Sequence, residues 1–329
     1  MASSSGARRE PLGDDPTACL AKRGVVTTGS THHIGVDLGG TNIKWVALSL
    51  IGGEASILGR GELPTDSATG PSSVARRVAD AAVAAAALTT DPTTVGVGLP
   101  GRYDGERGTT TFLPNLPGDW TGVPIGGIVS DRVGLPCRLL NDARAFTLAE
   151  HTVGAGRGCQ TMVGITLGTG IGGGVIVNNR LHLGLDGTAG EFGHQTILLD
   201  GPECGCGKRG CVEAVTSASA LAHLGGKPTA RAVAEAARAG DPTALAAIET
   251  VAGYLAVAVA NSIVLLSPDR IIVGGGVAQA GELLLDPLRQ AVRERVSVVP
   301  VERVEILQAK LGPIAGAIGA ALWGAGIGR

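Results

Sequence analysis

Residues 34–50 read IGVDLGGTNIKWVALSL, an apolar strand, a turn built on Gly39 and Gly40, and a second apolar strand. Glycines at such a turn let the backbone approach a phosphate and leave N–H donors exposed, while Thr41 adds a hydroxyl. Asp37 is placed to hold Mg²⁺ through water, and Gly39, Gly40, Thr41 and Lys44 are assigned to the same nucleotide cradle. An ordinary β-hairpin turn would explain this segment equally well if it stood alone. However, residues 161–167 are again apolar, residues 168–174 read GTGIGGG as a second glycine turn, and residues 175–177 resume as strand. Two β-glycine-β units about 130 residues apart form a weak internal repeat. They predict a duplicated α/β architecture whose two halves face one nucleotide.

Outward from these units the chain alternates. A strand near 55–63 precedes an Ala-rich helix over 72–88, then come a strand at 94–99, a helix near 125–133, a strand at 137–140 and a helix from about Asp142. The second half continues with long helical patterns before Ser267, a strand at 270–273, the run Gly274, Gly275, Gly276, a helix after Gly281 and a last helix near 316–323. The 329 residues, 44% hydrophobic and 17% charged, describe a globular chain with a sizeable core, and only 2% are aromatic, so that core is aliphatic. Lys and Arg total 27 against 29 Asp and Glu, which leaves no basic excess for a phosphate backbone and argues against a nucleic-acid partner. The longest apolar stretch, 251–266, is interrupted by Asn261 and Ser262 and is too short to span a bilayer, so no membrane partner is expected. Residues 1–32 carry Ser, Gly, Pro and charge without apolar periodicity and read as a flexible leader with no signal peptide. A reducing cytoplasm is the expected location, because three of the six cysteines cluster rather than spread as pairs.

Four further places carry chemistry. Gly168, Thr169 and Gly170 follow a strand as Gly39 and Gly40 do, and two such turns favour the phosphate reading, although neither is a Walker A loop nor a dinucleotide fingerprint. Gly274 and Gly275 end a buried strand and open a helix, a position suited to adenosine or phosphate. Asn141 and Asp142 end a strand and start a helix, so Asp142 reads either as an N-cap or as a carboxylate that accepts a proton from a hydroxyl attacking a γ-phosphate. His194, Cys204, Cys206 and Cys211 offer three thiolates and an imidazole, the tetrahedral donor set of a closed structural Zn²⁺ site. Glu191 lies three residues before His194, so a metal that fixes the imidazole also fixes that carboxylate.

These motifs resemble the ROK family (repressors, open reading frames, kinases), in particular its zinc-containing sugar kinases of the glucokinase type. The resemblance runs from about Ile34 to about Trp323. It rests on DLGGT at 37–41, LNDA at 140–143, GTGIGGG at 168–174, AGEFGH at 189–194 and CGCGKRGCVE at 204–213. It implies an actin-like, hexokinase-type fold of two α/β domains with sugar and ATP in the cleft, as a homodimer or homotetramer. The small domain would comprise 33–138 with the C-terminal helix 316–329, and the large domain 139–315 with the zinc motif. Position by position, it implies Asp142 as the catalytic base of an ATP-dependent kinase acting on the 6-hydroxyl of glucose. Asn141, Glu191, His194 and Glu213 would bind sugar hydroxyls, with Gly101, Arg102 and Asn115 adding contacts. Within the enzymes the alternatives are N-acetylmannosamine, another aminosugar or a cyclitol as acceptor, and polyphosphate as donor. Outside them they are a sugar-responsive repressor or a silent sugar-binding module. The leader is longer than usual for the kinases and too short for a repressor's winged helix, and the LPGDW loop is one residue longer than expected. Arg144 stands where a small or amide residue is usual. It would either reach the sugar and admit an acidic acceptor or point to solvent and leave glucose preferred.

Overall fold

The computed structural model describes residues 29–329, so the expected leader lies outside the described residues except for its end, where Thr31 and His32 already belong to the first strand. In β1 (Thr31–Leu38) the alternating residues Ile34, Val36 and Leu38 are fully buried. Asn42–Ile51 (β2) and Glu54–Pro64 (β3) fold back antiparallel, setting Lys44 opposite Asp37. The helix α1 (Pro71–Ala86) starts at a proline, where a missing N–H costs nothing, and buries Val74, Ala75, Val78, Ala82 and Ala85 at helical spacing. Next come β4 (Pro92–Leu99), a hairpin of β5 (Arg102–Asp104) and β6 (Thr109–Phe112) that was not expected from the sequence, α2 (Ile125–Val133) and β7 (Cys137–Asn141). Strands β1, β4 and β7 run parallel, and the sheet order is β3-β2-β1-β4-β7.

The chain then repeats itself. After α3 (Asp142–Val153), strands β8 (Met162–Leu167), β9 (Ile171–Val177) and β10 (Arg180–Leu181) form an antiparallel run. Helices α4 (Val212–Thr216), α5 (Ala218–Leu224), α6 (Ala230–Arg238) and α7 (Pro242–Leu266) lead to β11 (Arg270–Gly274), parallel to β8. Helix α8 (Glu282–Arg295) connects to β12 (Glu305–Gln308), parallel to β11, and α9 (Ala315–Gly324) follows. The order β10-β9-β8-β11-β12 reproduces the first sheet strand for strand, so the duplication extends well beyond the two glycine units.

Helices α9 and α3 are stacked between the sheets. On the α9 side, Gly35 of β1 and Gly96 of β4 lie against the backbone of Ala317 and Ala320, where no side chain would fit. Thr147 of α3 fills the space over Gly164 and Gly174 on the second sheet, and Ala145 of α3 meets Gly319 of α9. This middle layer has its own core, including Leu140, Leu148, Met162, Ile318 and Leu322. The sequence reading undervalued α7: it has 25 residues and by length and composition could cross a membrane. Val251, Leu255, Val259 and Ile263 are fully buried in the outer core of the second sheet, which accounts for its apolar character.

Glu150 holds the far end of α3. Its fully buried carboxylate accepts from the N–H groups of Ala155 (2.8 Å), Lys310 (3.0 Å) and Leu311 (2.8 Å), tying α3 to the segment that precedes α9. Glu150→Ala leaves those donors unpaired, so it is expected to cost about 3–5 kcal/mol, read as a lower denaturant midpoint with an unchanged slope.

Candidate active site

Parallel strands end in a common edge, and in open α/β sheets ligands gather there. Asp37 stands at the carboxyl end of β1, and Asn141 and Asp142 follow from β7 into α3. Asn141 is the N-cap: its backbone is extended and its Oδ1 accepts from the N–H groups of Ala143 (3.1 Å) and Arg144 (3.2 Å). Its Nδ2 donates to the carbonyls of Leu99 (3.4 Å) and Gly101 (3.3 Å), which anchors the loop carrying Gly101 and Arg102. Asp142 is therefore the first helical residue and not the cap; its Oδ1 accepts from the Ala143 N–H (2.8 Å). Burial pushes its pKa up to about 6; the Ala143 N–H and the Arg144 guanidinium oppose the rise and Glu191 adds to it. Asp37 is pushed up to about 7 by burial and by the Asp142 carboxylate, against the pull of Lys44. Two buried carboxylates, one raising the proton affinity of the other, form an oxygen donor set suited to a hard divalent cation.

The two glycine turns have different tasks along their length. Gly39 donates to the carbonyl of Asn42 (3.1 Å), Thr65 Oγ1 donates to the Gly39 carbonyl (2.7 Å), and exposed Gly40 and Thr41 face outward with the Asn115 carbonyl nearby. In the second unit only Gly168, Thr169 and Gly170 form the turn, closed by Gly168 N–H to the Gly170 carbonyl (3.0 Å). Strand β9 begins at Ile171, four residues earlier than expected. Gly172 and Gly174 serve packing: a side chain at either would strike Ala143 or Thr147 of α3. The sequence reading of 168–174 as one phosphate turn is corrected accordingly. Gly274 and Gly275 end β11 against the Phe146 ring and the Leu167 carbonyl, and they open a short 3₁₀ turn (Val277–Ala280) rather than the α-helix itself. Arg102 is exposed, its guanidinium 5.8 Å from the centre of the Phe112 ring.

The third group surrounds the thiols. Cys204 Sγ lies 3.8 Å from His194 Nδ1 and Cys206 Sγ lies 3.7 Å from Cys211 Sγ, and all four donor atoms fall within 4.8 Å of one another. A tetrahedron with bonds of about 2.3 Å has edges of about 3.8 Å, so the donors already stand at metal-binding separations. The other ring nitrogen of His194, Nε2, is 4.0 Å from Glu191 Oε2, as the three-residue spacing suggested. Glu213 joins this group to the second turn: Oε2 accepts from the Ile171 N–H (2.8 Å) and Oε1 lies 3.5 Å from Cys204 Sγ.

Arg144 does not point to solvent, one of the two alternatives drawn from the sequence. It is 3% exposed, with Nε donating to the Ala189 carbonyl (2.8 Å) and Nη2 to Glu191 Oε1 (3.0 Å). Gly316 of α9 was also missed: a side chain there would strike the Asp37 carboxylate, as one at Gly98 would crowd it. The run AGAIGAA at 315–321 was the available signal, since small residues at helical spacing permit close backbone approach.

Comparison with known proteins agrees with this architecture. The chain is 39% identical over 307 residues to a glucokinase of Thermotoga maritima, covering 88% of this chain and 95% of that protein. It superposes on a ROK family glucokinase from Streptomyces griseus in complex with glucose and AMPPNP with a TM-score of 0.76, at 36% identity, covering 90% of this chain and 99% of the other. A ROK hexokinase from Thermus thermophilus gives 0.76 at 34% identity, covering 90% and 98%. The fold is the actin-like two-domain fold, and the protein is a sugar phosphotransferase. The ROK family matches residues 33–326, and the chain belongs to it.

Proposed function

We propose that the protein is a glucokinase, transferring the γ-phosphoryl group of ATP to the 6-hydroxyl of glucose with Asp142 as general base. The observation that carries this reading is the release of Asp142 from capping, which leaves a buried carboxylate of raised pKa at the start of α3, where the next residue, Ala143, packs on Gly172 of β9. Asp142 takes the hydroxyl proton as the sugar oxygen attacks phosphorus, the new P–O bond forms, and the bond to the bridging oxygen breaks to leave ADP. The N–H groups of Gly40, Thr41, Thr169 and Gly170 would face the transferring charge, while those of Gly39 and Gly168 close the turns. Asp37 would hold Mg²⁺, an ion that offsets phosphate charge, with Lys44 beside it. Glu191, His194, Glu213 and Asn141 bind sugar hydroxyls, with Gly101, Arg102 and Asn115 at the rim, and Gly274 and Gly275 border the adenosine. Zn²⁺ on His194, Cys204, Cys206 and Cys211 supplies structure rather than chemistry. A reducing cytoplasm suits a site built on three thiolates. We divide the domains as 33–138 with 316–329 and 139–315; the packing of α9 on β1 and β4 supports joining the C-terminal helix to the first, while β7, paired with β4, continues to Asn141.

Coupled ADP release over glucose, mannose, glucosamine, N-acetylmannosamine and a cyclitol, with ATP and polyphosphate as donors, tests the assignment. Glucose with ATP is expected to give the highest kcat/KM, and preference for an aminosugar, a cyclitol or polyphosphate would overturn it. Because the active base is the deprotonated form of a group titrating near 6, activity should hold above that pH and fall about tenfold per unit below it.

A further inference from the structure

We propose that Arg144 determines acceptor specificity by clamping Glu191: spanning the Ala189 carbonyl and Glu191 Oε1, it holds that carboxylate in one pose with Oε1 taken up, so the acceptor must present a hydroxyl that donates to Oε2. This rests on the sugar-kinase reading above and names which chemical property of the acceptor is sensed.

A guanidinium at 3% exposure is costly to bury unless its charge is met, and Glu191 is the carboxylate that meets it. The two contacts diverge from one planar group, Nε to a main-chain oxygen and Nη2 to a side-chain oxygen, so they fix both the segment 189–191 and the rotamer of Glu191. Glu191 itself is 49% exposed. Oε1 is therefore committed to Arg144, while Oε2 lies toward His194 at 4.0 Å, beyond hydrogen-bond length and open to an incoming group. An ionised carboxylate only accepts hydrogen bonds, so it recognises an O–H donor and leaves a fluorine in its place unpaired. A buried polar group left unpaired discriminates far more strongly than a lost methylene. Arg144 also sits two residues after Asp142 on α3, so the clamp fastens the acceptor segment to the helix that carries the base.

The test compares wild type, Arg144→Lys, Arg144→Gln, Glu191→Gln and the double variant R144Q/E191Q, each checked for folding by melting temperature. Kinetics are measured with glucose and its monodeoxyfluoro analogues. Wild type is expected to disfavour at least one fluoro analogue by about a hundredfold. At pH 8, where Asp142 stays ionised without the Arg144 charge that lowers its pKa, the KM for glucose in R144Q should rise about tenfold and the fluoro discrimination shrink about tenfold, with kcat and the KM for ATP within about threefold of wild type. R144K keeps the charge but cannot make both contacts, so it should fall between. Because Arg144 acts through Glu191, adding R144Q to E191Q should cost little more than E191Q alone. Unchanged glucose KM and discrimination in both Arg144 variants, additive losses in the double variant, or a parallel loss of kcat and ATP affinity would overturn the clamp. If wild type phosphorylates no hexose, the functional reading itself falls. Amide exchange then decides the clamp without substrate: faster exchange at residues 189–194 in R144Q, or in R144K should R144Q not fold, supports it, and unchanged exchange overturns it.

Discussion

Asp142→Asn is expected to lower kcat by about a hundredfold or more while leaving the KM for sugar nearly unchanged. The amide is isosteric and can still hydrogen-bond, but it cannot take the hydroxyl proton. An N-cap tolerates this exchange, since Asn caps as well as Asp; here the cap is Asn141, and the bond that Asp142 accepts from the Ala143 N–H (2.8 Å) is one an Asn oxygen can also accept, so the loss reports the base. The same variant should melt at a higher temperature at pH 8 than wild type, measured without nucleotide. The sign follows from the raised pKa: a carboxyl that titrates near 6 when folded and near 4 when unfolded favours the folded state least once it is ionised in both. Asp142 and Asp37 therefore cost the empty protein stability as pH rises from about 4 to about 6 and 7 respectively, and removing one relieves both burial and repulsion. A difference of about 1 kcal/mol corresponds to about 2–4 °C in a chain of this size or somewhat smaller. Near-wild-type turnover, or a lower melting temperature at pH 8, would count against Asp142 as a buried base.

Much of this arrangement is legible in the sequence because its signals are local. The strand periodicity around Ile34 and Val36, the glycine turns after β1 and β8 and the clustered thiols each lie within a short window, where spacing alone constrains geometry. The misreadings have a common cause. Asn141 and Asp142 are both good caps, and only the backbone conformation at 141 shows which one caps. Glycine at 168–174 answers two needs that look alike in a sequence, a turn that bares N–H groups and a strand surface on which α3 can lie. Arg144 and Glu150 find partners 47 and 160 residues away, a distance over which no periodicity operates. Strand β12 is four residues long and offers too few alternations to register.

Cys206→Ser should remove about one Zn²⁺ per chain, measured by elemental analysis, and raise the KM for sugar about tenfold or more while the KM for ATP changes less than about threefold. Cys206 is the exposed thiol of the set, so its replacement disturbs packing least. Its loss leaves an incomplete donor set at separations matched to a tetrahedron. The effect reaches the sugar side through the imidazole: with Nδ1 turned to the thiols, His194 presents Nε2 toward Glu191, and a ring freed from the metal no longer holds that direction. Arg144 continues to hold Glu191 from the other side, so the sugar site is weakened rather than abolished. The second glycine turn is insulated for a different reason. Although Glu213 links it to Cys204, the turn is closed by its own Gly168 to Gly170 hydrogen bond and carried by the β8–β9 ladder under α3, none of which involves the thiols. Sugar and nucleotide affinities should thus separate on loss of the metal. An active protein with no zinc, or equal losses toward sugar and ATP, would show that the thiol cluster has another purpose.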